Sequence, residues 1–271
     1  MSRPRPSIGA LLSIGVLVLA GGAARADDAA VSDINMKLSG FGGYTNAGHG
    51  GGRLAGVAGS LTVPIEQHVG FQFDAAAAGA SGDFFFDAGA HLFWRDPGTG
   101  LFGLYAGMAR QVGTNHTQRV DHYGIEAERY FANLTVSGAL GYETGNHVGG
   151  MYGNAKLDLY LTPNFMTSGG YTSEAGVGYY SSRAEYQFSS DHELGLGIYA
   201  ASDWHSSDTY QITGGLRLTI GEPMTLRDRH RHQDPASYLG ADTIGTEQSK
   251  YTVCGTTEAL ACPAVVVVAA P

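Results

Sequence analysis

Residues 134–143 read LTVSGALGYE, and in them Leu134, Val136, Gly138, Leu140 and Tyr142 alternate with Thr135, Ser137, Ala139, Gly141 and Glu143. A period of two sends the first set to one face of an extended chain and the second set to the other. A helical period does not fit the stretch as a whole. The pattern recurs downstream. Met151, Ala155, Leu157 and Leu159 oppose Asn154, Lys156 and Asp158; later, Tyr210, Ile212, Leu216, Leu218 and Ile220 oppose Gln211, Thr213, Arg217 and Thr219. From Ile34 to Gly221 the chain divides into such segments, each of roughly ten residues and separated by turn-forming clusters. About 12 segments can be counted, within a range of about 10–14. The expected fold class is all-β, an antiparallel barrel.

The charges decide what kind of barrel. Lys37, Asp74, Asp87, His91, Arg95, Glu126, Glu128, Lys156, Asp158, Arg183, Glu185 and Arg217 fall mostly on one face of their segments, opposite the large apolar residues. A water-soluble sandwich or barrel would more often turn such residues outward around an apolar core. The reverse arrangement, apolar outside and charged inside, suits a transmembrane β-barrel. Composition agrees: 41 of 271 residues are Gly and only 15% are charged, against ~25% in an average soluble chain.

The N-terminus predicts export. Arg3 and Arg5 precede an apolar run from Ile8 to Ala20, and Ala24-Arg25-Ala26 has the small-x-small pattern of a cleavage site. Residues 1–26 are therefore read as a signal peptide, 27–33 as a short periplasmic segment, 34–221 as the barrel and 222–271 as a periplasmic tail, mostly irregular. The apolar run is shorter than the roughly 20 residues of a membrane-spanning helix. A formal charge of −9, more negative once Arg3, Arg5 and Arg25 are removed, argues against nucleic-acid binding.

The breaks between segments form two interleaved sets. One comprises Glu66-Gln67-His68, Asp96 to Gly100, Ala132-Asn133, Thr162-Pro163-Asn164 and Ser189-Ser190-Asp191. The other, on the whole longer and richer in Gly, His and Asn, comprises Thr45 to Arg53, Ser81-Gly82-Asp83, Gly113 to Gln118, Gly145 to Gly150, Thr172 to Gly176 and Asp203 to Asp208. Short turns on one side and longer loops on the other is the expected layout, with both termini in the periplasm. Rings mark the strand ends: Tyr44, Tyr142, Tyr180 and Tyr210 toward the loops, Trp94, Tyr186 and Phe188 toward the turns.

In this architecture the sequence resembles bacterial outer-membrane β-barrels, above all small porin-like members. The resemblance covers the signal peptide and residues 34–221 and rests on no specific motif. It implies an outer-membrane location, contact with outer-membrane lipids, a passive pore for small solutes or ions, and a homo-oligomer as a common assembly. One departure is visible: family members often end on an aromatic residue, whereas this pattern ends at Ile220-Gly221 with residues 222–271 following.

The candidate pore-lining residues are Asp74, Asp87, His91, Arg95, Glu126, Glu128, Lys156, Asp158, Arg183, Glu185 and Arg217. Carboxylates slightly outnumber bases, which would favour cations if a path is open. The alternative is a plugged structural or interaction barrel in which these charges pair across strands. No cofactor, metal site or catalytic site is expected. His49, His116, His147 and His205 lie in the loop set, but none has the paired spacing of a metal motif. His205 and Ser207 share the His-x-Ser spacing of outer-membrane lipid hydrolases, without that family's surrounding residues. In the tail, Arg227, Arg229, His230, Arg231 and His232 read as a solvated basic linker. Cys254 and Cys262, the two cysteines, are a candidate disulfide in an oxidising compartment.

Overall fold

The structure, a computed structural model, describes residues 29–46, 52–80, 82–113, 117–145, 149–174, 177–188, 192–206 and 209–234. The signal peptide, the Cys254–Cys262 pair, Ser207 and the loop residues His49, His116 and His147 lie outside the described residues. So does the side chain of His205.

Twelve strands form one closed antiparallel barrel: β1 (Asn35–Thr45), β2 (Gly52–Glu66), β3 (Val69–Ala80), β4 (Asp83–Asp96), β5 (Gly100–Val112), β6 (Thr117–Tyr130), β7 (Leu134–Gly145), β8 (Gly149–Thr162), β9 (Phe165–Glu174), β10 (Val177–Gln187), β11 (Leu194–Ser206) and β12 (Thr209–Ile220). Each strand pairs with its sequence neighbours, and β1 closes on β12 with Met36 opposite Ile220 and Thr45 opposite Gln211. The even count brings the start of β1 and the end of β12 to one rim, called here the terminal rim; the other is the distal rim. Three pairings slip by a residue, at Pro64/Glu66, Tyr160/Thr162 and Trp204/Ser206. The first bulge accommodates Pro64, which has no N–H to give to a ladder.

Alternation places the faces as the sequence predicts. Leu140, Leu157, Leu216 and Val57 are more than half exposed on the outer wall, while Thr135, Ser137, Asp158, Arg217 and Thr219 are buried on the lumenal side. Outward charges stay near strand ends, as at Arg53, Arg119, Arg129 and Glu66, where they can reach headgroups rather than hydrocarbon. Rings belt both rims. Tyr44 packs near Tyr210 and Tyr171 near Tyr180 at the distal end, and Tyr186 meets Phe188 edge-on at the terminal end.

Two expectations need correction. The connections do not sort into short turns and long loops: residues 46–51 at the distal rim and 188–193 at the terminal rim are equally long, and the rest are shorter. The strands run on into Gly- and Ser-rich stretches that read as loops, because ladder pairing overrides weak local propensity. Nor are residues 222–234 a solvated, irregular linker. Thr225 caps a one-to-two-turn helix, α1 (Leu226–His232), its hydroxyl accepting from the Asp228 N–H, and Leu226 and Arg229 are buried.

The glycines make room inside the wall. Phe41 lies over Gly56, Tyr152 over Gly141, Tyr199 over Gly215 and Phe93 over Gly70, each where a Cβ would come within 2.7 Å of the ring. At Gly70 a Cβ would also meet the Val31 side chain at 2.6 Å. Gly70→Val is therefore expected to destabilise the barrel by about 1–3 kcal/mol. Gly40→Ala, whose Cβ would meet nothing within 4 Å, should stay within about 0.5 kcal/mol. Thermal unfolding followed by heat-modified gel mobility checks both.

Candidate functional site

The lumen is lined by the alternate residues of twelve strands, so most polar side chains of the chain converge on it. Of the eleven candidate pore-lining residues, Asp74, Asp87, His91, Arg95, Glu126, Glu128, Asp158, Glu185 and Arg217 are buried, and Lys156 and Arg183 keep 26% and 12% of their side chains exposed. They are packed against one another.

Three groups form near mid-height and toward the terminal rim. In the first, His91 on β4 stands between two carboxylates, its Nε2 3.0 Å from Asp74 and its Nδ1 3.0 Å from Glu126. An imidazolium donates from both nitrogens, so the ring can serve both partners at once. Gln72 extends the chain, donating to Asp74 at 3.0 Å while accepting from the Thr62 hydroxyl at 2.9 Å. Glu126 reaches His91 across β5 because the intervening lumenal residue is Gly103, where a Cβ would sit 2.7 Å from the Glu126 carboxylate. Tyr105 stacks on the His91 ring at 5.8 Å.

In the second group Glu185 on β10 is held by Arg217 at 2.5 Å and by Arg183 at 3.0 Å. Both guanidinium groups lie over the Tyr199 ring, at 5.1 and 4.2 Å. In the third, Lys156 pairs with Asp158 at 3.3 Å, and the Tyr130 hydroxyl donates to Glu128 at 2.9 Å. Removing one partner of such a buried pair is costly, whereas the intact pair adds little net stability.

The terminal rim is occupied by the segments that flank the barrel, residues 29–34 and 221–234. The Arg95 guanidinium, with no exposed surface, donates through Nη1 to the Ala30 carbonyl at 2.9 Å and to the Gln233 carbonyl at 3.5 Å. One side chain thus ties the segment before β1 to the segment after α1. Val31 joins Phe93, Leu101 and Tyr130 in an apolar cluster, and Leu226 joins Tyr160 and Met166 in another. Around the mouth, Lys37 on β1 pairs with Asp234 at 2.8 Å, the Tyr160 hydroxyl on β8 hydrogen-bonds with His230 Nδ1 at 3.0 Å, and Gln187 on β10 donates to the Met224 carbonyl at 2.7 Å. Arg229 donates to Gln187 and Gln233, and Arg231 lies over the Tyr130 ring. The contacts of α1 fall on β6 to β10, and Gln233 and Asp234 beyond it reach β4 and β1, so the segment from Met224 to Asp234 lies across the opening. Burial holds the His230 imidazole below its ordinary range. Burial alone would raise the Asp234 carboxyl, but Lys37, His230 and Arg229 hold it below the usual carboxylate value.

Toward the distal rim lies a group that the sequence reading did not single out. His122 on β6 sits directly opposite Glu143 on β7, with Nε2 to carboxylate 3.7 Å, and the same nitrogen is 2.8 Å from Glu174 at the end of β9. Parity could have found two of them, since His122 shares a face with Glu126 and Glu143 alternates with the outward Tyr142. Glu174 was hidden by its placement in a loop; β9 in fact extends to it.

Solved structures resemble this barrel at low identity. The translocator domain of the autotransporter NalP from Neisseria meningitidis matches with a TM-score of 0.50 at 10% identity, covering 70% of this chain and 88% of that one. The β domain of the Bordetella autotransporter BrkA gives 0.50 and 10%, over 69% and 98%. The KdgM porin gives 0.47 and 7%, over 69% and 99%. No family model matches the sequence, and no curated protein matches it. The likeness is one of fold, and it agrees with an apolar outer wall, a charged lumen and a ladder without edges: in fold, the chain is an outer-membrane β-barrel.

Proposed function

We propose that this chain is a non-enzymatic, porin-like barrel for small solutes or ions whose resting state is closed by its own terminal segments. The terminal rim faces the periplasm in this reading. The observation that carries it is the Arg95 side chain, which binds carbonyls of both Ala30 and Gln233 and so holds the segments before β1 and after α1 together in the mouth. A helix this short gains little stability by itself, and its place depends on contacts with the wall. Such an element can leave without unfolding the barrel. Acidic side chains outnumber basic ones among the buried lumenal residues, so a path opened by its departure should prefer cations.

A second reading is a plugged scaffold without conductance. The three paired groups behind the plug favour it, because they line the lumen with charges paired to one another whether or not α1 is docked.

Two measurements follow. In planar bilayers the mature full-length protein should be closed most of the time, while deletion of residues 222–271 should give discrete, reproducible, cation-preferring openings. Silence from both forms, each verified as folded, would establish the plugged scaffold. Equal conductance from both would remove α1 from the gate.

The second measurement is pH dependence. Docked His230 is half-buried beside Tyr160, with Asp234, Glu185 and Asp158 favouring its protonation and Lys37 opposing it; desolvation prevails. His232 is shifted the same way by burial. The released segment takes up protons near the ordinary value of 6.5, so docking is at full strength above that pH and weakens as pH falls below it. Asp234, with its lowered value, stays ionised through this window. Opening probability should therefore rise from neutral pH to about 5.5, and the rise should be smaller in His230→Gln. A flat profile in the unmodified protein sinks this coupling.

A further inference from the structure

We propose that His122, Glu143 and Glu174 form a binding site for a divalent first-row metal ion, with zinc as the representative ion, inside the barrel toward the distal rim. The site is independent of the gating reading above.

The argument begins with where the donors point. Among the described residues the lumen holds two histidines each flanked by two carboxylates, and they differ in one respect. At His91 the carboxylates occupy opposite ring nitrogens, Asp74 at Nε2 and Glu126 at Nδ1. They surround the ring and cannot share one ion with it. At His122 both carboxylates approach the same nitrogen, Nε2, at 3.7 Å from Glu143 and 2.8 Å from Glu174. One donor atom from each of the three residues lies within 4.8 Å of the other two. Metal–ligand bonds of about 2.0–2.2 Å hold neighbouring ligand atoms roughly 3 Å apart, so the set closes on an ion with side-chain adjustments alone.

The chemistry of the donors fits as well. One imidazole and two carboxylates form a mixed nitrogen and oxygen set of the kind that zinc accepts. All three side chains are at least nine-tenths buried. A divalent cation is a natural counterpart for two carboxylates brought this close together in a buried layer.

The surroundings hold the ring in place. Tyr152 on β8 meets the His122 ring edge-on at 5.3 Å, and Tyr105 on β5 meets Tyr152 in turn at 5.9 Å. Tyr152 has room because the residue beside it on β7 is Gly141, where a Cβ would lie 2.6 Å from its ring. Its hydroxyl is buried and has no hydrogen-bond partner among the described residues, a leftover polar atom in the same layer of the lumen. The ligands come from β6, β7 and β9, with β8 between the last two, so a bound ion would fasten together four neighbouring staves of the wall.

The test uses the full-length mature protein, folded in detergent and stripped with a chelator. Zinc is titrated by calorimetry, and cobalt(II) is added separately for its visible absorption. One saturable equivalent is expected, with cobalt absorption showing a mixed nitrogen and oxygen environment. Glu174→Gln should weaken binding at least about tenfold, and His122→Asn should abolish the saturable phase. Heat-modified gel mobility confirms that each variant is closed, and Glu143→Gln, nearly isosteric, serves if the histidine variant fails to fold. Joint replacement of the loop residues His49, His116 and His147 by Gln should leave the affinity unchanged. No saturable binding, undiminished binding in Glu174→Gln and Glu143→Gln, or loss of binding only in the loop variant would overturn the proposal.

Discussion

Backbone N–H and C=O groups in hydrocarbon find no water, so a sheet that crosses a membrane must pair every strand on both sides. The ladder between β1 and β12 meets that demand, and much else follows from it. Closure with an even number of strands returns both ends of the sheet to one rim. Only because they share a rim can Ala30, ahead of the first strand, and Gln233, beyond the last, meet on one guanidinium. The same closure sorts the side chains. A charge on any strand has the lumen or a headgroup region to go to, and the lumen is narrow enough that charges arriving from different strands find each other.

The interior is accordingly organised by size as much as by charge. Glu126 reaches His91 because Gly103 stands between them, and rings on four strands lie over glycines on their neighbours. The high glycine content belongs to this packing. In a barrel this small the lumenal wall is a core, and small residues let large polar and aromatic ones interleave, as alternating sizes do in apolar interiors. The unusual feature is that the interleaved groups are largely ionisable, which makes their mutual spacing a condition of stability rather than a refinement.

Much of this was legible in the sequence, for a physical reason. A transmembrane strand has one face in lipid, and the contrast between Leu134-Val136-Leu140 and Thr135-Ser137-Glu143 survives without any knowledge of neighbours. Strand number, facing and the inward placement of residues such as Asp74 and Arg217 depend on that contrast alone. What failed depends on distant contacts. The basic run from Arg227 to His232 looks like a solvated linker until Lys37, some two hundred positions away in the chain, is seen to hold Asp234. The cap at Thr225 with Asp228 three residues later was a local signal of a helix start, though not of its docking. Glu174 was lost because glycine and serine around it suggest a loop, while pairing with Val177 keeps it in the ladder.

The Arg95 clasp has a further consequence. It grips carbonyl oxygens, which every residue type supplies, so it is blind to which side chains stand at positions 30 and 233. It is sensitive to spacing: an inserted or deleted residue between position 30 and the start of β1, or between Ile220 and position 233, would present the wrong oxygen at the wrong depth. The two flanks of the barrel are thus measured rather than read. A lineage of such proteins could change the composition of these flanks freely while keeping their lengths fixed, so that the trace of this closure would lie in conserved distances between segments and not in a conserved motif.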